Sequence, residues 1–201
     1  MQNLPIELQE EVLLSLREPK DLYQACSSSR QNRQICSASA FWREKFRREN
    51  LPLLEEGNNL SQWLNIYRKS LAAAKRVDKR MLSGYSINIS LTQVDDPKIL
   101  LPLGREEEIT YYWNIMKASD HVQKSRYYKT IHGYTIEFFP GSGANSRYEL
   151  VDNYEIENHD PRYGPSAYTV TERKKLQDGT VSTEDLWFIL FQLAYSSKYN
   201  L

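Results

Sequence analysis

The chain predicts an α+β fold on three observations. Apolar residues recur at helical spacing as far as residue 82, they alternate with polar residues over most of 83–182, and the segment 184–195 is apolar almost all round. Three regions follow: a bundle of short helices over 1–50, a loop and an amphipathic linking helix over 51–82, and an α+β domain over 83–201. The last region combines an antiparallel sheet, helices on one side of it and a buried C-terminal helix.

The first helix is capped by Asn3 and holds Pro5 in its first turn, where a fixed φ and a missing N–H do no harm, with Glu7 at the positive end of the dipole. Leu8, Val12, Leu13 and Leu16 are expected on its inward face, with Gln9, Glu10 and Arg17 outward. Glu18-Pro19 ends the pattern, because the residue before a proline is pushed out of the helical region. Pro19 opens a second helix with Leu22, Ala25 and Cys26 as its apolar positions. The serine run 27–29 reads as a junction, since serine hydroxyls compete for backbone partners. A third helix over 30–36 has a thin apolar face of Ile35 and Cys36. Ser39 is expected to cap a fourth, in which Phe41, Trp42 and Phe46 turn to one side while Arg43, Lys45, Arg47 and Arg48 gather toward its negative end. Helices this short need packing, on one another or on a partner.

The succession Leu4-Pro5-Ile6-Glu7-Leu8, Asp21-Leu22 and Phe41-Trp42-Arg43 resembles an F-box, the helical module by which substrate receptors dock on the Skp-type adaptor of SCF ubiquitin ligases. The resemblance covers about the first quarter of the chain. Its terse leader and its Cys-Ser-x-x-Arg segment are similar in style to F-box-like proteins of large DNA viruses of amoebae. It implies an adaptor surface made of Leu4, Pro5, Leu8, Val12, Leu13, Leu16, Leu22, Ile35 and Trp42, and a role in binding rather than catalysis. Two departures stand out. Ser27 and Ser28 occupy the place of a Leu-Val-like pair, and Asn32 that of a large apolar residue, so the apolar surface should be thinner here.

Residues 52–59 form a loop with Gly57-Asn58-Asn59 as its turn chemistry. The helix over 60–81 places Trp63, Tyr67, Leu71, Ala74, Val77 and Met81 on one face, and Arg68, Lys69, Lys75, Arg76, Lys79 and Arg80 on the other. That basic face is either a solvated surface or a contact for nucleic acid or chromatin.

Tyr85, Ile87, Ile89 and Leu91 alternate as a half-buried strand. Residues 99–103 read as a second strand, which Pro102 forces to an edge or to its end, and 105–118 as a helix with Ile109, Tyr112, Trp113 and Met116 on one face. Strands over 126–131 and 134–139 are expected to flank a hairpin turn at His132-Gly133, with one or two more strands over 147–156. A second hairpin is expected at Gln177-Asp178-Gly179, between strands 168–176 and 180–182. Thr183 should cap the last helix. Twelve of the 14 tyrosines lie beyond residue 82, a residue type favoured where proteins bind proteins. The loop 158–167, with Pro161, Arg162, Tyr163 and Pro165, is the candidate recognition loop, and together with Tyr168 at the start of the next strand these are the candidate target-binding residues.

Balanced charge, 26 basic against 26 acidic side chains, argues against strong non-specific binding to nucleic acid, although residues 1–80 hold 14 basic and 10 acidic ones. The 2 cysteines make no disulfide framework and read as buried core in a reducing compartment. No run is long enough to span a bilayer and no signal-peptide profile opens the chain, so an intracellular protein of the cytoplasm or nucleus is expected. His121, His132 and His159 are scattered, with no metal-like spacing to a second histidine or a cysteine although His159-Asp160 is a pair, and no phosphate-cradling or nucleophile-elbow motif occurs. No catalytic residue, cofactor or metal is expected. Three functions remain open: an F-box-type substrate receptor, with a Skp-type adaptor and a protein target as partners; a non-ligase interaction or structural protein with an F-box-like fold; and a nucleic-acid contact through the basic helix.

Overall fold

The computed structural model describes residues 5–118, 122–124, 128–141, 143–158 and 168–196. It is α+β, with N-terminal helices followed by an antiparallel sheet and a C-terminal helix. The chain divides into two compact units, 1–76 and 77–201. The division falls within the helix expected over 60–81.

The first unit contains α1 (Ile6–Ser15), α2 (Pro19–Ser27), α3 (Arg30–Ser37), α4 (Ser39–Arg48) and most of α5 (Leu60–Leu82). Local chemistry sets the boundaries. Pro19 occupies the first turn of α2, and Ser29 caps α3 by accepting from the Asn32 amide at 3.0 Å. Ala38, not Ser39, precedes the first residue of α4, and Ser39 is already helical. At the other end of α4, Asn50 takes φ 52° and the Leu51 amide reaches back to the Phe46 carbonyl at 2.9 Å, the closure that an Asn in the left-handed region permits.

One core joins all five helices: Leu13 and Leu14, Leu22 and Cys26, Ile35 and Cys36, Phe41, Trp42 and Phe46, and Trp63, Ile66 and Tyr67. Trp42 and Trp63 stack with ring centroids 5.8 Å apart, and the Trp42 indole donates to the Cys36 carbonyl at 2.7 Å. Gly57 lies so close to Trp63 that a Cβ there would meet the Trp63 amide nitrogen at 2.8 Å. Cys26 and Cys36 form a disulfide, with Cα atoms 5.9 Å apart. This corrects the reading of the two as unreactive core residues: α2 and α3 pack side by side and bring together thiols ten positions apart.

The second unit opens with the end of α5, followed by β1 (Ile87–Ser90), 3₁₀ turns over Leu91–Gln93 and Pro97–Leu103, α6 (Glu106–Lys117), β2 (Val122–Lys124), β3 (Tyr128–Phe139), β4 (Asn145–Asn158), β5 (Tyr168–Ser182) and α7 (Thr183–Tyr195). The strands form one antiparallel sheet in the order β1-β3-β4-β5, with β2 also paired to β3. Ile87, Phe138 and Tyr148 are register neighbours, as are Ile89, Ile136 and Leu150, and all six are buried on one face. On the opposite face Glu137 and Glu149 pair directly, and Arg173 donates to both carboxylates at 2.8 Å, which removes the like-charge conflict.

Four expectations fail here. Residues 99–103 are not a strand, because Asp96 accepts from the Lys98 amide, Pro97 opens a 3₁₀ turn and Gly104, at φ 68°, closes it, burying Leu100 and Leu103 three positions apart. His132-Gly133 and Gln177-Asp178-Gly179 are not turns but lie inside β3 and β5, which pair with β4 along its whole length. A register shift at Leu150/Val151 absorbs one extra residue of β5. Ser182, not Thr183, caps α7 by accepting from the Asp185 amide, while the Thr183 hydroxyl ties the helix to the Gly143 carbonyl at 2.9 Å.

Candidate functional site

In α1 the inward face is Gln9, Leu13 and Leu14, rotated from the one expected, and the Gln9 amide donates to Gln31 of α3. Leu8 and Val12, one turn apart, face outward at 51% and 37% exposure, with Pro5 exposed before them. The expected adaptor residues thus separate into two groups. Leu13, Leu22, Ile35 and Trp42 are sealed in the unit's own core and offer a partner no surface, and Leu16 packs against that core. Leu8, Val12 and Pro5 remain on the surface. Leu4 lies outside the described residues.

The polar departures have a structural use. The Asn32 side-chain amide donates to the Ala25 carbonyl at 2.9 Å and to the Ser28 hydroxyl at 3.2 Å, so the buried Asn32 binds α3 to the end of α2.

Lys45, expected among the cations gathered at the negative end of α4, is fully buried. Its ammonium donates to the Leu14 and Leu16 carbonyls, which α1 leaves open at its C-terminal end, and to Glu49. The Tyr67 hydroxyl donates to Glu49 as well, and burial with that neighbouring carboxylate pushes its pKa upward.

The basic residues of α5 form no single stripe. Lys69 pairs with Glu55, Arg76 donates to the Ala72 carbonyl, and Arg80 donates to the Ser86 carbonyl in the second unit. Lys79 also falls in the second unit. Arg68 and Lys75 instead line a groove of about 660 Å³ with Arg17, Pro19 and Leu71.

In the second unit the sheet builds a cluster that residue spacing did not announce. His132 pairs across the register with Tyr154, and Tyr134 with Asp152, so the His132 Nδ1 and the Asp152 Oδ2 meet diagonally at 2.6 Å. An ionised carboxylate can only accept, so the proton of this hydrogen bond lies on His132 Nδ1. His132 lies parallel to the Tyr134 ring at 5.9 Å, Tyr112 of α6 approaches Tyr134 at 4.7 Å, and the Tyr154 hydroxyl donates to Glu172. Burial and the Asp152 charge push the Tyr134 phenol up to about 12. Asp152 is 5% exposed, and its Oδ1 has no hydrogen-bond partner among the described residues. Among the described residues no hydroxyl or thiol is hydrogen-bonded to His132, so the pair can orient an imidazole but has no nucleophile joined to it. The usable signal was the alternation of His132 with Tyr134 and of Asp152 with Tyr154, which an assumed turn at His132-Gly133 concealed.

Of the expected target-binding residues, Tyr168 opens β5, while Pro161, Arg162, Tyr163 and Pro165 lie outside the described residues, as do His121 and His159. Among the described residues no group of three or more His, Cys, Asp or Glu side chains is placed to hold a metal ion, and no helix is long and apolar enough to cross a membrane. No family model matches this chain, and neither a curated protein nor a solved structure does.

Proposed function

We propose that this protein is an F-box-type substrate receptor, whose helical first unit docks on a Skp-type adaptor through α1 and whose second unit holds a protein target. The observation that carries this reading is the Leu8–Val12 pair, exposed on α1 while most apolar side chains around it are buried. Leu8 closes the Leu-Pro-x-Glu-Leu segment on which the resemblance rests, and Val12 lies one turn beyond it. The mechanism is positioning: holding a target lysine near a conjugating enzyme turns a bimolecular encounter into a local one. Such a receptor works in the cytoplasm or nucleus, where reducing conditions would hold Cys26 and Cys36 as thiols packed against each other.

The test is a pull-down of the full chain with a recombinant Skp-type adaptor. Binding is expected, and Leu8→Asp with Val12→Asp should weaken it at least about tenfold, as loss of two central apolar anchors does. Leu13→Asp would be uninformative, since Leu13 is core. A wild-type chain that ignores the adaptor rejects the proposal.

A second reading, a non-ligase interaction protein built on an F-box-like bundle, is favoured by a different observation. Asn32, Ser28 and Ser29 bond one another within the bundle, and Leu13, Leu22 and Trp42 are satisfied there without a partner.

A further inference from the structure

We infer that the groove between the α1–α2 turn and α5 binds an acidic, extended peptide segment through Arg17, Arg68 and Lys75. Three observations support this. First, the lining face of α5 is Arg68, Leu71, Ala72 and Lys75, spaced three, one and three, so the helix turns two cations and an apolar strip toward the same opening. Second, the cations are available. Arg17, Arg68 and Lys75 enter none of the ion pairs among the described residues, whereas the fourth, Arg48, is held by Glu11 and Glu44. Of the two carboxylates in the lining, Glu49 is already paired with Lys45, which leaves Glu18 alone against three unpaired cations.

Third, the spacing suits a peptide. Seven helical residues separate Arg68 from Lys75, about 10 Å along the axis at 1.5 Å per residue. A chain extended as polyproline II covers about 9 Å in three residues and completes one turn in doing so, so carboxylates at positions i and i+3 point the same way and can meet both cations while the chain between them lies over Leu71 and Ala72. Nucleic acid fits less well. No aromatic ring lines the groove for a base to stack on, and Glu18 would face a continuous run of phosphates. The inference stands whether or not an adaptor docks on α1, because it uses neither Leu8 nor Val12.

Fluorescence anisotropy on the full chain tests it, with a labelled dodecapeptide carrying Asp at positions 5 and 8 and Leu at position 6. Binding is expected to weaken with added salt and to fall at least about tenfold when both Asp are replaced by Asn, or when Arg68→Gln and Lys75→Gln are combined. These side chains are exposed, so the folded state survives, and Lys98→Gln in the second unit should leave binding unchanged. Three results overturn the inference: no binding of the acidic peptide, equal binding of the Asp and Asn peptides, or tighter binding of a twelve-nucleotide oligothymidylate than of the peptide.

Discussion

The ammonium group of Lys45 donates to the carbonyl oxygen of Leu14 at 3.0 Å, from a side chain with no exposure to solvent. A lysine on α4 thereby closes the end of α1, and Glu49, one turn further along α4, balances its charge.

Lys45→Met is therefore expected to lower the unfolding free energy by about 3 kcal/mol, because it strands two carbonyls and a mostly buried carboxylate. Arg43→Met breaks a pair of similar length with Glu56, but both of those side chains are more than half exposed, and the change should stay within about 0.5 kcal/mol. Urea unfolding of the two variants side by side measures the contrast. Equal effects would show that burial of Lys45 is not what makes the difference.

The Cys26–Cys36 disulfide should stabilise the first unit by about 3 kcal/mol, chiefly by restricting the unfolded chain across a loop of this length. Cys26→Ser with Cys36→Ser, or added reductant, should lower the melting temperature. Thiol labelling of the denatured, unreduced protein should find no free thiol. Two labelled thiols would mean that the pair is packed but not bonded.

His132→Ala removes the hydrogen bond that the buried Asp152 carboxylate accepts and should cost about 3 kcal/mol. Adding Asp152→Asn to it should recover part of that loss, since a neutral amide is cheaper to bury. Chemical denaturation of the single and double variants gives the coupling, and strictly additive losses would argue that the two side chains do not interact.

Acid should weaken the contact between α1 and α4. Hydrogen bonds from Arg47 and Arg48 hold the Glu44 carboxyl down at about 2, and the Arg48 hydrogen bond lowers that of Glu11. A carboxylate depressed in the folded state binds fewer protons there than in the unfolded chain, so its contribution is present above about pH 4.5 and is lost as pH falls toward 2. Glu44→Gln should flatten the acid limb of a stability–pH profile. An unchanged limb would show that the pairs do not persist in solution.

The helices were readable because their signals are local. Pro19 and Ser29 mark starts by backbone chemistry alone, and the helical spacing of Trp63 and Tyr67, or of Ile109 and Met116, reports a period that neighbouring residues set. The strands were less readable. Asp178-Gly179 carries a hairpin signal in isolation, yet pairing with Glu149 and Tyr148 of β4 holds it extended. Pro97 and Gly104 carried enough information for a 3₁₀ turn, but the apolar run between them looks like a strand until Leu100 and Leu103 are seen buried together.

The candidate sites follow the same division. Chain order alone was enough to establish that helices precede a sheet, that apolar residues crowd α7, and that Leu8 and Val12 share a side of α1. It could not say which side of α1 turns inward, that Lys45 would close a helix 31 positions earlier in the chain, that Cys26 would meet Cys36, or that His132 would reach Asp152. Helix starts and periodicity arise from forces within a few residues, which any stretch of sequence carries with it. Rotation of a helix, register of a strand and the partner of a buried charge depend on packing and desolvation among groups far apart in the chain, and those balances are struck only once the whole unit has closed.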